Sequence, residues 1–274
     1  MDDRFLFIGG DKRIIYAQQI IAQRYVCDRM GQGGVYPEPI GKYGRVVLPM
    51  PVSRDGSSIT APFSEKPVPL SVLEDYAEQG AEIFAAGTCA ELSRLCALHG
   101  WRLTDYSADE PLMLKNAALT AEAAAALLIQ STEGSLFGAR ALVTGFGRCG
   151  RAMARLLKAF GAEPVVCARS AEQRALARLD GISAVLPTKL EDICGKADYI
   201  INTVPARLFS EEHFAAMSRG AVFMELATLP SEPTESRCNA LGIKYIHAAG
   251  LPGKFSPKTA GRLIAEAILA RLGD

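Results

Sequence analysis

The stretch Ala139 to Ala152, ARALVTGFGRCGRA, decides how the rest of this chain is read. Ala141 to Thr144 is a short apolar run of strand character. It ends at Gly145-Phe146-Gly147-Arg148-Cys149-Gly150, and a helical pattern follows at once in Met153, Leu156, Leu157 and Phe160. Strand, glycine turn and helix in that order form the setting a dinucleotide fingerprint needs. Gly145 allows the tight turn. Gly147 removes the Cβ that would block a pyrophosphate, and Gly150 lets helix and strand pack closely. The phosphates would rest on free backbone amides at the positive end of the helix dipole. A glycine-rich turn in some other α/β unit would show the same letters; the flanks favour a nucleotide site at Gly145 to Gly150.

Downstream, Pro164 to Ala168 makes a second strand. Its tip is Ala168-Arg169-Ser170, with no acid between Glu163 and Glu172. An NAD site usually carries an acid there to bind the ribose hydroxyls. Arg169 can instead pair with a 2′-phosphate through its fork, and Ser170 can donate to it. NADP(H) is therefore favoured over NAD(H); the plain alternative is an Arg169 that merely faces solvent. Ala184 to Leu186, Asp198 to Asn202, Ala221 to Leu226 and Lys244 to His247 read as further strands, with a short helix at Leu190 to Cys194. The exit loop Asn202-Thr203-Val204-Pro205 falls where such folds pass the nicotinamide ribose. Ala249 to Lys254 reads as a glycine and proline loop, and Pro257 to Ala270 as an amphipathic helix.

Upstream, strands and helices alternate again. Phe5 to Ile8 is a strand, Gly9-Gly10-Asp11 a turn, and Ile14 to Gln23 a helix. Asp11 either caps that helix or, with Arg13, belongs to a site at the strand's carboxyl end. Val46 to Leu48 runs into Pro49-Met50-Pro51-Val52-Ser53-Arg54-Asp55-Gly56, a polar surface loop or a substrate loop. Pro62 to Pro69 reads as irregular, Leu70 to Glu78 as a helix capped by Ser71, Ile83 to Gly87 as strand and turn, Leu92 to Leu98 as a helix, and Trp101 to Tyr106 as a strand. Asn116 to Gln130 is an alanine-rich helix with an N-terminal signal at Thr120-Ala121-Glu122. The expected fold is α/β with two domains: a smaller N-terminal α/β domain at 1–114 and a Rossmann-type doubly wound parallel sheet at 115–274, linked by a long helix. The C-terminal helix, 257–274, has the option of packing on the first domain.

Bulk properties narrow the function. Of the 274 residues 49% are hydrophobic and 22% charged, and the formal net charge is zero. No global basic field draws in nucleic acid or an anionic membrane. The N-terminus lacks a signal-peptide layout, and no apolar run approaches the roughly 20 residues that span a bilayer. The seven cysteines are scattered without a CxxC pair and read as reduced cytosolic thiols. They share no ligand spacing with His99, His213 and His247, so no structural metal is expected.

Several stretches together resemble the family of the dipicolinate synthase A subunit. They are Ile8-Gly-Gly-Asp11 with Arg13; Leu48-Pro-Met-Pro51 with Ser53 and Asp55-Gly56; Asn116 with Thr120-Ala-Glu122; Gly145 to Gly150; Ala168-Arg-Ser170; Ile201 to Pro205; and Gly250-Leu-Pro-Gly253 with Pro257-Lys-Thr-Ala-Gly261. Each is weak alone; order and spacing together are specific, and they span the chain. One departure is the alanine run after Glu122, where the family pattern has a glycine. The resemblance implies an NADP-linked oxidoreductase that acts with the flavoprotein B subunit of dipicolinate synthase to make dipicolinate during sporulation, in the mother-cell cytoplasm. Its substrate would be a small dicarboxylate, dihydrodipicolinate or its hydrated 4-hydroxy-tetrahydro precursor. A homo-oligomer is allowed; nucleic acid and membrane partners are not implied.

Oxidising such a ring sends a hydride to the nicotinamide and a proton to a base while two carboxylates are held. Forked arginines suit the carboxylates, which singles out Arg13 and Arg54, with Lys115, Lys254 and Lys258 behind them. Ser53, Asn116 and Thr120 are placed to orient the ring; Asp11, Asp55 and Glu122 are the carboxylates open to the role of base. Two other readings stand beside this one. The first is another two-domain NADP-dependent dehydrogenase, of hydroxy-acid or shikimate type, the latter without a clear Lys/Asp pair. The second is a non-catalytic NADP(H)-binding protein that serves a catalytic partner.

Overall fold

Residues 4–33, 38–227 and 235–273 are described by the computed structural model, and they build two units, Met1–Asn116 with Gly253–Asp274, and Ala117–Pro252. In the first unit the elements run β1 (Arg4–Ile8), α1 (Lys12–Ile21), β2 (Val26–Met30), β3 (Tyr43–Val47), β4 (Ser58–Ile59), β5 (Val68–Pro69), α2 (Leu73–Tyr76), β6 (Ala77–Ala85), α3 (Ala90–His99) and β7 (Arg102–Asp105). Five of the strands make a parallel sheet in the order β2-β1-β3-β6-β7, while β4 and β5 pair as a small antiparallel ribbon. Phe5, Leu6, Phe7 and Ile8 are all fully buried, as both faces of a central parallel strand must be. With the ribbon set aside this is the flavodoxin-like strand order, which reverses direction between β1 and β3. The loops leaving those two strands therefore meet at the carboxyl edge, where open α/β sheets take ligands.

Helix α4 (Glu110–Ser131) carries the chain into the second unit. There follow β8 (Arg140–Thr144), α5 (Arg148–Ala159), β9 (Glu163–Cys167), α6 (Ala171–Leu179), β10 (Ser183–Val185), α7 (Leu190–Cys194), β11 (Tyr199–Asn202), α8 (Glu211–Ala216), β12 (Val222–Glu225), α9 (Glu235–Ala240) and β13 (Lys244–His247). Their sheet is parallel throughout and ordered β10-β9-β8-β11-β12-β13. Counted from β8 that is the Rossmann order, with its reversal between β8 and β11. One face buries Val143, Val166, Ile201 and Met224 against Met153 and Leu157 of α5 and against Ala121, Ala124 and Leu128 of α4. The other buries Leu142, Ile200 and Phe223 with Phe214 and Cys238. After α10 (Leu251–Phe255), α11 (Pro257–Leu272) packs on α1 in the first unit. Gly261 makes that approach possible, because a Cβ there would run into the Arg13 carbonyl and the Tyr16 side chain.

The expected α/β class with a Rossmann-type parallel sheet is present. Several local expectations are corrected. Strand β2, at the sheet edge, is an addition to the strands expected. The expected helix over 70–78 is only a 3₁₀ turn, Leu70–Val72, followed by α2; Ser71 makes no capping bond, and Ala77 already starts β6. Helix α4 begins well before Thr120 and Glu122, which lie mid-helix; the cap is Asp109, whose carboxylate accepts from the Leu112 amide at 2.7 Å. The glycine and proline segment after Gly250 closes into α10, with Leu251 and Pro252 buried. The 22 residues of α4 are long and apolar enough, by length and composition, to cross a bilayer, against the expectation of no such run. In the structure its Ala121, Ala123, Ala124 and Ala125 belong to the core of the second unit.

Candidate functional site

The glycine turn is built as its letters require. Gly145 sits at φ +78°, in the left-handed region that costs glycine nothing. A Cβ on Gly150 would strike the Gly145 carbonyl, so helix and turn touch there. Gly147 has no heavy atom within 4 Å of a notional Cβ, leaving open space in front of the helix. It is also the N-cap of α5 and brings no side-chain cap. The first-turn amides of a helix lack intrahelical acceptors, so this terminus suits an anion. The Phe146 ring is buried in the core, and its amide donates to Gln173 Oε1 at 3.2 Å. Arg148 is exposed at the helix start. The Cys149 thiol is pushed upward in pKa by burial, which outweighs the lowering by Arg148; it stays a protonated packing group.

At the tip of β9, Arg169 and Ser170 are both exposed. Ser170 caps α6, its Oγ accepting from the Gln173 amide at 3.3 Å, which leaves the hydroxyl proton free to donate. A second guanidinium stands here. Arg174 Nη1 donates to the carbonyls of Ala168, at 2.8 Å, and Arg169, at 2.6 Å. Sequence reasoning misses Arg174, because it lies inside the following helix rather than at the strand tip.

Where the strand order reverses, three polar side chains that are all 0% exposed form a ladder across β8, β11 and β12. Thr144 Oγ1 donates to Asn202 Oδ1 at 2.5 Å, and Asn202 Nδ2 donates to Glu225 Oε1 and Oε2 at 2.9 and 3.1 Å. Asn202 Oδ1 also accepts from the Val204 amide at 3.1 Å, and Thr203 Oγ1 donates to the Thr144 carbonyl at 2.6 Å. Thr203 and Val204 are half-buried and Pro205 is exposed. A Cβ on Gly145 would lie 3.0 Å from Val204 Cγ2 and 3.1 Å from Thr203 Oγ1, so this loop borders the glycine turn.

In the first unit, the loops after β1 and β3 are pinned together by one arginine. Asp11 caps α1 by accepting from the Arg13 amide at 2.9 Å. Its carboxylate also takes Arg13 Nε at 3.0 Å and Nη2 at 2.9 Å, and the same Nη2 donates to the Met50 carbonyl at 2.6 Å. Gly253 lies against this pair; a Cβ there would come 2.6 Å from Asp11 Oδ2. Tyr106 supports the same edge, donating from a fully buried hydroxyl to the Leu48 carbonyl at 2.8 Å, and burial holds that hydroxyl far above the ordinary phenol range. Nothing in the strand pattern distinguishes Tyr106 from an apolar core residue.

The β3 exit loop is braced from within. Asp55 Oδ1 accepts from the amides of Ser58, at 2.7 Å, and Ser57, at 2.9 Å, and from Ser53 Oγ at 3.0 Å. Those bonds, the Ser58 amide first, hold the Asp55 carboxyl well below the usual carboxylate range. A general base works best with a pKa near the operating pH, so Asp55 is a loop brace and a poor proton acceptor. Ser53 Oγ in turn accepts from the Gly56 amide at 2.9 Å. Arg54, between them, is exposed. Lys115 pairs with Glu266 at 3.6 Å. Asn116 and Thr120 are half-buried one turn apart on α4, Glu122 is exposed on the same helix, and Lys254 and Lys258 are exposed on α10 and α11. The structure thus brings Asp11 and Arg13 to the β3 exit, and gathers Ser53, Arg54 and Asp55 in one loop. Among the described residues no three His, Cys, Asp or Glu side chains gather as metal ligands.

Comparison with known proteins agrees with this geometry. Residues 118–251 match the model of the D-isomer specific 2-hydroxyacid dehydrogenase, NAD binding domain. That match supports a nicotinamide dinucleotide cofactor and an oxidoreductase. The chain is 26% identical over 239 residues to the A subunit of dipicolinate synthase from Bacillus subtilis (strain 168), covering 86% of this chain and 80% of that protein. Among solved structures it is similar to the dipicolinate synthase A subunit from Bacillus halodurans, with a TM-score of 0.89 at 23% identity over 100% of this chain and 99% of that one. It is also similar to the A chain of dipicolinate synthase from Bacillus subtilis, with a TM-score of 0.85 at 24% identity over 100% and 96%. These two likenesses establish the fold. The resemblance read from the sequence is thus found over 86% of the chain in sequence and over all of it in fold.

Proposed function

From a likeness to the dipicolinate synthase A subunit that spans 86% of the chain, we propose that this protein is an NADP-linked oxidoreductase that forms dipicolinate, working in the cytoplasm of a sporulating cell with a flavoprotein B subunit. The substrate is dihydrodipicolinate, or its hydrated 4-hydroxy-tetrahydro precursor after loss of water. Dihydrodipicolinate gives up one hydride and one proton to become aromatic. Bound NADP⁺ supplies the hydride acceptor; the protein supplies position and charge.

The observation that carries the cofactor choice is the tip of β9. Arg169 and Arg174 both reach it, Ser170 keeps a donor there, and the tip itself, Ala168 to Ser170, holds no acid, the nearest being Glu172 in the first turn of α6. A 2′-phosphate meets donors at that point, where an acid would repel it. The glycine turn takes the pyrophosphate on the α5 amides, and the Asn202 to Pro205 loop borders it.

For the substrate, Arg54 is the principal carboxylate clamp. Arg13 is already half-neutralised by Asp11 and committed to Met50, so it holds the loops in place and contributes a second, weaker positive field. Ser53 and Asp55 keep Arg54's loop in shape, and Asn116 and Thr120 orient the ring. Arg54→Ala should lower kcat/KM about 10- to 100-fold, the size expected for a lost charge-assisted bond, with the fold intact by circular dichroism; unchanged kinetics would remove Arg54 from the site.

The deciding assay follows NADPH formation by its near-ultraviolet absorbance with freshly generated lysine-pathway intermediate, with and without the flavoprotein partner. Turnover with NADP⁺ in either arm supports the reading. NADP(H) binding without turnover in both arms would instead assign this protein a nucleotide-binding role alone. A second reading, oxidation of a 2-hydroxy acid, is favoured by the family model over residues 118–251. Reduction of NAD(P)⁺ by a D-2-hydroxy acid in the same assay would establish that one instead.

A further inference from the structure

We infer that Glu225 is a positioning residue for dinucleotide binding: it fixes the sense of the Asn202 carboxamide and, through it, the Thr203–Val204 backbone beside the glycine turn. The inference rests on the nucleotide site proposed above and adds a residue that makes no contact with the nucleotide in that reading.

A carboxamide has two ends of nearly equal size and opposite polarity. Only the NH₂ end of Asn202 can face the two Glu225 oxygens, at 2.9 and 3.1 Å. The Oδ1 end is thereby turned toward Thr144 Oγ1 and the Val204 amide, at 2.5 and 3.1 Å. A flipped carboxamide would set its oxygen against two carboxylate oxygens and its NH₂ against the Val204 N–H, so the flip is excluded while Glu225 is in place. The Val204 amide is then held, and with it the loop whose Val204 Cγ2 and Thr203 Oγ1 abut Gly145. Glu225 is itself tethered, since its Oε1 accepts from the Ala227 amide at 3.0 Å. The ladder is dry, each of Thr144, Asn202 and Glu225 being 0% exposed. Water therefore cannot replace a missing partner, and apolar residues would serve packing equally well. Its place is the reversal of strand order between β8 and β11, the crevice where such sheets bind ligands.

The test uses the full chain, with NADPH fluorescence titration, thermal melting, and hydrogen exchange at the Val204 amide without nucleotide. Glu225→Gln and Asn202→Asp each spoil the donor–acceptor match. Each should weaken NADPH by about 10-fold or more, as a buried charge-assisted bond implies, and speed exchange at Val204. The double variant Asn202→Asp with Glu225→Gln restores the match to residue 225 and to Thr144 with roles exchanged, and gives up the 3.3 Å bond that Asn202 Nδ2 donates to the Val204 carbonyl. The new amide donates to the new carboxylate, which still accepts from Thr144 and Val204. It should regain most of the affinity and the slow exchange, a rescue that a packing role would not produce. Single variants with wild-type affinity and wild-type Val204 exchange would overturn the inference. So would a double variant no better than its parents, with affinity falling only in step with Tm. If the wild type takes up no NADP(H), the proposed function fails, and Val204 exchange across the three variants still decides whether Glu225 sets the loop.

Discussion

Gly145, Gly147 and Gly150 stand within one turn, yet a methyl group would meet something different at each. At Gly150 it would meet a carbonyl, and at Gly147 nothing within 4 Å. Gly147 also lies at φ −73°, a value any residue adopts. Gly147→Ala should therefore leave Tm close to wild type while weakening NADP(H) at least about 10-fold, because the new methyl occupies ligand space. Gly150→Ala should cost about 1–3 kcal/mol of stability and lower Tm by several degrees. Equal melting losses in the two variants would contradict the division of roles. At the tip of β9, Arg169→Ala and Arg174→Ala should each weaken NADP(H) far more than NAD(H) in paired titrations; equal losses for both nucleotides would refute the 2′-phosphate assignment. Arg169 is legible because it sits in the turn where the acid of an NAD site would be. Arg174 reaches the same point by folding back to the Ala168 and Arg169 carbonyls from the first turns of α6, and spacing alone does not show that. Glu225 leaves a faint mark: β8, β11 and β12 are apolar strands that each close on a polar residue, Thr144, Asn202 and Glu225. Only pairing across the sheet turns those three endings into one network.

Elements with a strong apolar period are readable, and those shaped by their neighbours are not. The strands of the second unit are short, apolar and bounded by turns, and they match their expected positions to within a residue or two. Strand β2 has the sequence VCDRM, with Val26 exposed and Asp28 held by Arg4 and Tyr43. An edge strand stabilised by polar partners has no apolar alternation to give it away. Residues 70–78 look helical because leucine and valine recur there. The short segment instead makes a 3₁₀ turn and one α-helical turn and enters β6, where Ala81, Ile83 and Ala85 alternate inward. The start of α4 is disguised because Thr120-Ala-Glu122 imitates a cap, whereas the working one is Asp109. Asp109→Ala should cost about 1 kcal/mol, read as a lowered denaturation midpoint with unchanged slope; a midpoint equal to wild type would show that the Leu112 amide finds another partner.

At the scale of the molecule, the first unit is discontinuous. It is made of residues on either side of the second, and α11 completes it by burying Ala260, Leu263, Ile264 and Ile268. The sequence shows that α11 is amphipathic, but an apolar stripe does not name the surface it covers, and α1 becomes its partner only once Gly261 is seen against Arg13 and Tyr16. The segment 117–252 has its own sheet and its own core on both faces. Expressed alone, it should melt cooperatively and retain NADP(H) binding. A chain ending at residue 252 should lose the first unit's protection from proteolysis while the second unit keeps its own; a first unit that resists protease without α11 would count against this division.

That interruption sets a timetable for synthesis. A ribosome working at roughly 5–20 residues per second must make all of 117–252 after finishing 1–116, a delay of roughly 7–27 s. Throughout it the nascent N-terminal sheet waits with α1 uncovered. The nucleotide-binding half can be finished, and even loaded, on the ribosome, while its counterpart closes only once α11 has followed.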